Sequence, residues 1–292
     1  MDVVHAAEMP WGESLVAQRG DSDMAHKRLF EGVEDSPDNY MLVMSKEPKS
    51  YFSPRHRHPW DQIRFCLQGK IPIAKGLFVE GGEIAYFPES AYYGPQEGGE
   101  DRIVVLLQFG GASGQGFIGP DRLTQARLEL AKEGRFEGGV YTRDTTQGRR
   151  NRDAYEAIWL HVMQGDLSYA QPVYKTPIVM RPEALQWIRT AEEGVSLKSI
   201  GVFPHRGLSI NAWRIESGAS HMLAAIPAMR LLFVTEGSGS IAAEALRRWS
   251  AVRLQHGEDT ELRATSRLEL LELSVRSTSD LKLDAVASCS AS

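Results

Sequence analysis

Two cysteines in 292 residues, Cys66 inside an apolar run and Cys289 near the C-terminus, cannot build a disulfide framework. That scarcity points to a reducing compartment, and the cytoplasm is the expected location. Long hydrophobic runs are missing as well: none approaches the roughly 18 apolar residues of a membrane-spanning helix. The opening "MDVVHAAEMPWGESLVAQRG" has no basic region leading into an apolar stretch, so no secretory signal is expected. Nor is there a surplus of positive charge. The 33 Lys and Arg against 38 Asp and Glu leave a net charge of −5, which gives no electrostatic reason to expect nucleic acid or a membrane surface as partner. The one short basic cluster, "QGRRNR" at 147–152, reads as a solvated turn.

What is present suits a soluble globular chain able to bury a core, with 42% hydrophobic and 24% charged residues. From about Asn39 to Gly110 short β-branched and aromatic runs recur: "YMLVMS" (40–45), "DQIRFCLQG" (61–69), "KIPIA" (70–74), "EIAYFP" (83–88) and "RIVVLLQF" (102–109). Gly, Pro, Ser and Asn break them about every ten residues, the rhythm of an antiparallel sandwich or barrel. The middle of the chain changes period. "GPDRLTQARLELAKEG" (119–134), "NRDAYEAIWLHVMQG" (151–165) and "RPEALQWIRTAEEG" (181–194) each end at a glycine and predict helices. The first carries Leu123, Ala126, Leu128 and Leu130, the second Tyr155, Ile158, Trp159 and Val162, and the third opens on Pro182.

Strand rhythm returns after Ser196 in "SINAWRIES", "MRLLFVTEGSGSIAA", "SAVRLQHG" and "RLELLELSV". A shift of 168 residues lays Gly69 on Gly237 and "IRFCLQGKIPIA" on "LLFVTEGSGSIA". It also lays "EIAYFP" on "AVRLQH" and brings "RIVVLLQF" within a residue or two of "RLELLELS". Apolar pattern and turn glycine coincide, which predicts an internal duplication. The closing "DAVASCSAS" is small and polar and expected to fray.

Chemistry concentrates in "SPRHRHPWDQIRFCLQG" (53–69). On a strand, His56 and His58 share a face and form a two-nitrogen clamp for a divalent first-row metal. His56-x-His58 is followed by three residues, Gln62, six residues and Gly69. Further on run Gly82, five residues, Pro88, one residue, Ser90, two residues and Tyr93. This pair of motifs resembles the cupin signatures: His-x-His, three or four residues, Glu, six residues, Gly, then Gly, five residues, Pro-x-Gly, two residues, His. With the duplication, the chain resembles a bicupin. That implies a mainly β protein with two cupin jelly-roll barrels in tandem and a helical connecting segment. The expected boundaries are 1–115 for a first barrel with the metal site, 116–194 for the helical segment, 195–280 for a degenerate second barrel and 281–292 for a flexible tail.

In cupins the two His, the Glu and the last His ligate the metal, so the resemblance implies a metal set of His56, His58, Gln62 and Tyr93. Gln62 and Tyr93 depart from the pattern. Gln is a weak neutral ligand, and Tyr binds metal well only as phenolate, at the cost of a proton from a group titrating near 10. Two readings stay open. In one, Gln62 orients substrate or metal-bound water and Tyr93 is a ligand or a general acid/base; in the other, both are polar residues satisfying one another inside a barrel.

Equal parity with Gln62 would turn Arg64 and Cys66 inward. Arg64 then either binds a substrate carboxylate or pairs with a buried acid, and Cys66 is a small buried hydrophobe. Arg55 and Arg57 have the opposite parity and face solvent or a partner sheet. Trp60 and Tyr92 are candidate substrate contacts. The same shift places Ala224, Ile226, Arg230 and Glu261 at the four ligand positions of the second half, so no second site is expected. His5 or His26 could complete the first.

The resemblance implies a metal-dependent enzyme with Fe(II) as first choice and Mn, Ni, Cu or Zn as alternatives. Its activity is most readily a dioxygenase on a small phenolic or carboxylate-bearing molecule. A lyase, isomerase or decarboxylase and a non-catalytic small-molecule binder are the alternatives. The expected partners are a small-molecule substrate and a second copy of the chain in a homodimer.

Overall fold

Alternating apolar and polar residues become strands wherever a second sheet can cover their apolar face, and most of this chain is built that way. The structure is a computed structural model and describes residues 1–12, 19, 24–36, 38–144, 148 and 150–276. The expected tail, with Cys289, and positions 147 and 149 of the basic cluster lie outside the described residues. Two compact units emerge: Trp11–Val179, and Met1–Pro10 together with the chain from Met180 onward.

The first strand, β1 (Asp2–His5), belongs to the second unit. The first unit contains β2 (Ala25–Glu31), β3 (Tyr40–Glu47), β4 (Trp60–Gln68), β5 (Lys70–Ala74), β6 (Leu77–Glu80), β7 (Ile84–Phe87) and β8 (Arg102–Gly110). There follow α1 (Pro120–Leu130), β9 (Gly134–Glu137), β10 (Val140–Arg143), β11 (Asn151–Asp153), α2 (Ala154–Met163) and β12 (Ile178–Met180). Its main sheet runs β12-β7-β4-β8-β3-β2, with β5 and β6 paired separately. Isolated bridges tie Ser53 to Gln96 and His56 to Tyr93.

Register decides what this barrel presents inside. Gln62 lies opposite Gln108, which lies opposite Met41; Arg64 lies opposite Leu106, then Val43. Further along, Cys66 meets Val104, Val104 meets Ser45, and Ser45 meets His26. Directly paired residues share a sheet face, so these rows form one inner surface.

The helical segment is no independent linker. Leu123, Ala126 and Leu130 of α1 are buried with Tyr155, Ile158 and Trp159 of α2 in one cluster that includes Met41, Val43 and Trp60 of the barrel. Leu128, counted with the apolar face from sequence, is 59% exposed. Asp153 caps α2, its Oδ1 accepting from Tyr155 N and Glu156 N at 3.0 and 3.1 Å. The third expected helix does not form. Pro182 starts a single 3-10 turn (Pro182–Ala184), and Ile188 then pairs with Leu197 in a short strand. With Ile188 65% exposed there is no apolar stripe to bury, so pairing to a neighbouring strand prevails over helix propensity.

The second unit contains β13 (Ile188–Arg189), β14 (Val195–Phe203), β15 (Leu208–Ile215), β16 (Ser220–Leu223), β17 (Met229–Glu236), β18 (Ser238–Ile241), β19 (Glu244–Arg247), β20 (Ser250–Leu254), β21 (Thr260–Ala264) and β22 (Leu268–Val275). One sheet runs β1-β20-β17-β22-β15-β14-β13 and the other β16-β21-β18-β19. Leu232, Val234, Val252, Leu254, Leu262 and Leu270 fill the space between. Strand for strand, β1-β20-β17-β22-β15-β14 repeats β12-β7-β4-β8-β3-β2, which is the duplication seen in the sequence. In each unit the strand beside β7 or β20 comes from outside the block of sequence that forms the rest of the sheet, so the expected boundaries at 115 and 195 shift. Residues 1–10 join the second barrel and 116–179 the first.

The two glycines that anchor the repeat serve one purpose. Gly69 and Gly237 have φ of +81° and +80° at the turn after β4 and β17. An added Cβ would stand 2.8 Å from the Asp101 carbonyl oxygen at Gly69, and 1.8 Å from that of Arg267 at Gly237. Both Gly→Ala variants should therefore lose stability, Gly237→Ala by at least about 2 kcal/mol and by more than Gly69→Ala. Urea unfolding midpoints read this directly; equal, small shifts would contradict it.

Candidate metal and substrate site

The first motif reaches the second through backbone. His56 N donates to Tyr93 O and Tyr93 N to His56 O, both at 3.0 Å, and Ser90 N donates to His58 O at 2.7 Å. Ser90 occupies the place that is glycine in the second motif; its φ of 65° is the left-handed conformation that glycine adopts freely. This clamp brings three side chains to a point. The Nε2 atoms of His56 and His58 lie 3.1 Å apart, and the Tyr93 hydroxyl is 2.9 Å from the first and 2.7 Å from the second. Donors held about 2.1 Å from one ion at right angles are about 3.0 Å apart, so the triangle has the dimensions of one face of a six-coordinate metal.

The orientation of the His56 ring suits that use, whereas His58 Nδ1 is buried without a hydrogen-bond partner. His56 Nδ1 faces the Pro54 carbonyl at 2.6 Å, which sets a proton on Nδ1 and leaves the Nε2 lone pair at the triangle. His58 is stacked on Trp60 at 4.2 Å. Burial pushes both imidazoles well below the ordinary histidine range, reinforced at His58 by His56 and at both by Arg19 and Arg64. They are neutral, as ligands must be. Burial raises the Tyr93 phenol, while Arg64 and Arg19 oppose that shift. Among the described residues no group of three or more His, Cys, Asp or Glu could hold a metal; the third polar atom at this point is the Tyr93 hydroxyl.

Gln62 stands one step back from this point. Its Oε1 accepts from Arg64 Nε and Nη2 at 3.1 and 2.9 Å, and its Nε2 donates to Gln108 Oε1 at 3.0 Å. Arg64 Nη2 also donates to the Tyr93 hydroxyl at 2.8 Å. The inward turn expected for Arg64 is found, but the buried acid offered as its alternative partner is not: its hydrogen bonds go to Gln62 and Tyr93, and its guanidinium lies over Phe87. Cys66 is fully buried among Ile71, Ile73 and Val79, and burial pushes its thiol up to about 12.

A cavity of about 110 Å³ opens beside the triangle, lined by His56, His58, Gln62 and Arg64 and, from the other strands, by His26, Glu47 and Gln108. Two expected substrate contacts are corrected. Trp60 is fully buried behind His58, against Phe117 and Tyr155, and its Nε1 donates to Gln108 Oε1. Tyr92 is 42% exposed, with Arg55 and Arg57 over its ring, because adjacent residues on an extended chain point to opposite sides. Of the two outlying histidines, His26 lines the cavity, whereas His5 belongs to the second barrel and hydrogen-bonds Ser250.

Arg19, Glu47, Tyr51 and Gln108 also line the cavity and escaped the sequence reading. Gln108 alone had a signal, as the polar residue of an otherwise apolar strand. In the second barrel, Arg230 stands where the first has Gln62, donating to the Ala224 and Glu258 carbonyls with Glu272 at 3.8 Å.

No family model and no curated protein matches the sequence. Solved structures match along most of the chain. A provisionally assigned dioxygenase of Nostoc punctiforme is 10% identical with a TM-score of 0.60, covering 94% of this chain and 82% of that one. Salicylate 1,2-dioxygenase of Pseudoaminobacter salicylatoxidans, solved with gentisate, is 16% identical at a TM-score of 0.54, over 96% of this chain and 79% of its own. Oxalate decarboxylase of Bacillus subtilis is 12% identical at 0.53, over 94% and 77%. At such identities the likeness carries the fold, and the fold is that of the bicupins.

His26 gives the site a testable acid sensitivity. Burial pushes it down to about 4, against the opposing pull of Glu47. Its folded pKa is below that of the unfolded chain, so protons favour unfolding: no cost applies above about pH 6.5, and the cost grows as pH falls toward 4. At about pH 5 it amounts to about 2 kcal/mol. His26→Gln should therefore lose about 2 kcal/mol less stability than wild type between about pH 7.5 and pH 5; identical losses in urea titrations would contradict it.

Proposed function

We propose that this bicupin chain is a metal-dependent enzyme whose first barrel holds one divalent transition metal on His56, His58 and Tyr93, Fe(II) first among the candidates. The observation that carries the proposal is the triangle of Nε2, Nε2 and hydroxyl oxygen with edges of 3.1, 2.9 and 2.7 Å. A metal there supplies Lewis acidity and, as iron, access to dioxygen. The rest is work for the protein. Pro54 fixes the His56 ring, and Trp60 backs the His58 ring. Gln62 holds Arg64, and Arg64 presents a guanidinium to a substrate carboxylate while hydrogen-bonding the phenol oxygen of Tyr93. That hydrogen bond opposes the effect of burial on the phenol, so Tyr93 would be the oxygen donor of the set.

The cavity volume supports a small substrate. At about 110 Å³ it is smaller than the roughly 150 Å³ that admits benzene to an engineered apolar cavity. A short carboxylic acid fits the space, whereas a phenolic acid needs side chains to move. A dioxygenase acting on such an acid is the first reading. Decarboxylase, lyase or isomerase chemistry is the second, supported by the hydroxyl of Tyr93 lying within hydrogen-bond reach of two imidazoles, where it can hold and pass a proton. The chain's place is then the cytoplasm, as a small-molecule enzyme.

Metal analysis of untagged protein tests the reading. One equivalent of transition metal per chain is expected, with affinity lowered at least about 100-fold in His56→Ala and His58→Ala while both fold. Oxygen uptake on adding short carboxylates would separate oxygenase from lyase. Folded wild type that takes up no metal under saturating supply would overturn the proposal.

A further inference from the structure

Two guanidiniums serve the same cavity, and neither has its donors used up. Arg64 is buried, and the acceptors it meets, Gln62 Oε1 and the Tyr93 hydroxyl, are both uncharged side chains. Among the described residues it makes no ion pair. Arg19 is far from Arg64 in sequence yet lines the same cavity and is only 3% exposed. Its Nε donates to Asp153 Oδ2 at 2.7 Å, and its Nη2 reaches the Tyr169 hydroxyl at a long 3.4 Å. Its Nη1 is buried without any partner. Both guanidiniums line the cavity to which His56 and His58 also contribute, and Arg64 reaches the Tyr93 hydroxyl directly.

A buried guanidinium edge without an acceptor is costly, and a carboxylate oxygen is the acceptor its geometry fits best. Among the described residues Arg64 brings a positive charge with no ion-pair partner, the Glu47 carboxylate of the same cavity being paired with Arg102. Arg19, whose own charge is offset by Asp153, brings an unused N–H edge. A ligand with one carboxylate satisfies Arg64 and leaves Arg19 as it is; a ligand with two satisfies both. The cavity volume limits the link between them to a few carbons.

Building on the proposed function, we infer that the cavity is a site for short dicarboxylates, one carboxylate held by Arg64 beside the His56–His58–Tyr93 face and the other by Arg19. Arg19 is then a specificity-determining residue, whereas a purely structural Arg19 would serve only to anchor Asp153 at the start of α2.

Calorimetric titration of the full chain with malonate, succinate, acetate and butyrate tests this, each sample assayed for metal. Malonate or succinate should bind at least about tenfold more tightly than the monocarboxylate of similar size. Arg19→Gln should erase most of that ratio, and Arg64→Gln should weaken both classes. Arg19→Lys, which keeps the charge and loses the fork, should give an intermediate ratio. Equal affinities in the wild type, or an Arg19→Gln variant that is less stable with its ratio unchanged, would overturn the inference. The wild-type series decides the matter even if the variants do not fold. Metal-free protein that still prefers dicarboxylates keeps this inference and sinks the metal site; metal-loaded protein without preference does the reverse.

Discussion

Two backbone hydrogen bonds between His56 and Tyr93, residues 37 apart, are the constraint on which the site depends. They lock the segment that carries the histidines to the one that carries the tyrosine, and so set the distance between their side chains before any ligand arrives. Ser90, in a left-handed conformation and bonded to His58 O, turns the second segment so that Tyr93 faces inward while Tyr92 faces out. Behind this clamp, Trp60 fills the space between His58 and the α1–α2 layer. The helices thus belong to the site's support, which explains why they pack into the first barrel.

Electrostatics gives the arrangement its direction. Burial disfavours protonation of His56 and His58 and raises the phenol of Tyr93, while Arg64 adds a positive charge beside them, that of Arg19 being offset by Asp153. Such a pocket disfavours additional protons and favours anions. The buried Glu47 is matched by Arg102, so it does not cancel Arg64. A cation held by neutral imidazoles beside a guanidinium needs negative charge from a phenolate or from substrate.

Much of this was legible in the sequence, for identifiable reasons. The spacing from His56 to Gly69 and from Gly82 to Tyr93 is fixed by strand and turn lengths, so it announces the barrel and three of its polar positions. Parity placed Gln62 and Arg64 inside. From sequence Trp60, in the "HPWDQ" link, could wall the pocket or pack, and the structure packs it fully buried against Phe117 and Tyr155. His26 and Glu47 reach the cavity through register between strands distant in sequence, and Arg19 from a turn outside any strand; no local pattern encodes either. The third expected helix does not form because its segment has no apolar stripe to bury, with Leu185 and Ile188 both exposed.

The second barrel supplies the contrast. With Ala224 in place of His56 and Arg230 in place of Gln62, a guanidinium fixed by two carbonyls and Glu272 occupies the interior that the first barrel leaves to ligands. The same framework thus carries a closed core in one copy and an open donor set in the other. The most direct test of that donor set is the visible spectrum of protein loaded with Fe(III). Coordination by Tyr93 predicts a tyrosinate-to-metal charge-transfer band, present in wild type and absent from a folded, metal-loaded Tyr93→Phe variant. A loaded wild type without the band, or a variant that keeps it, would contradict the account.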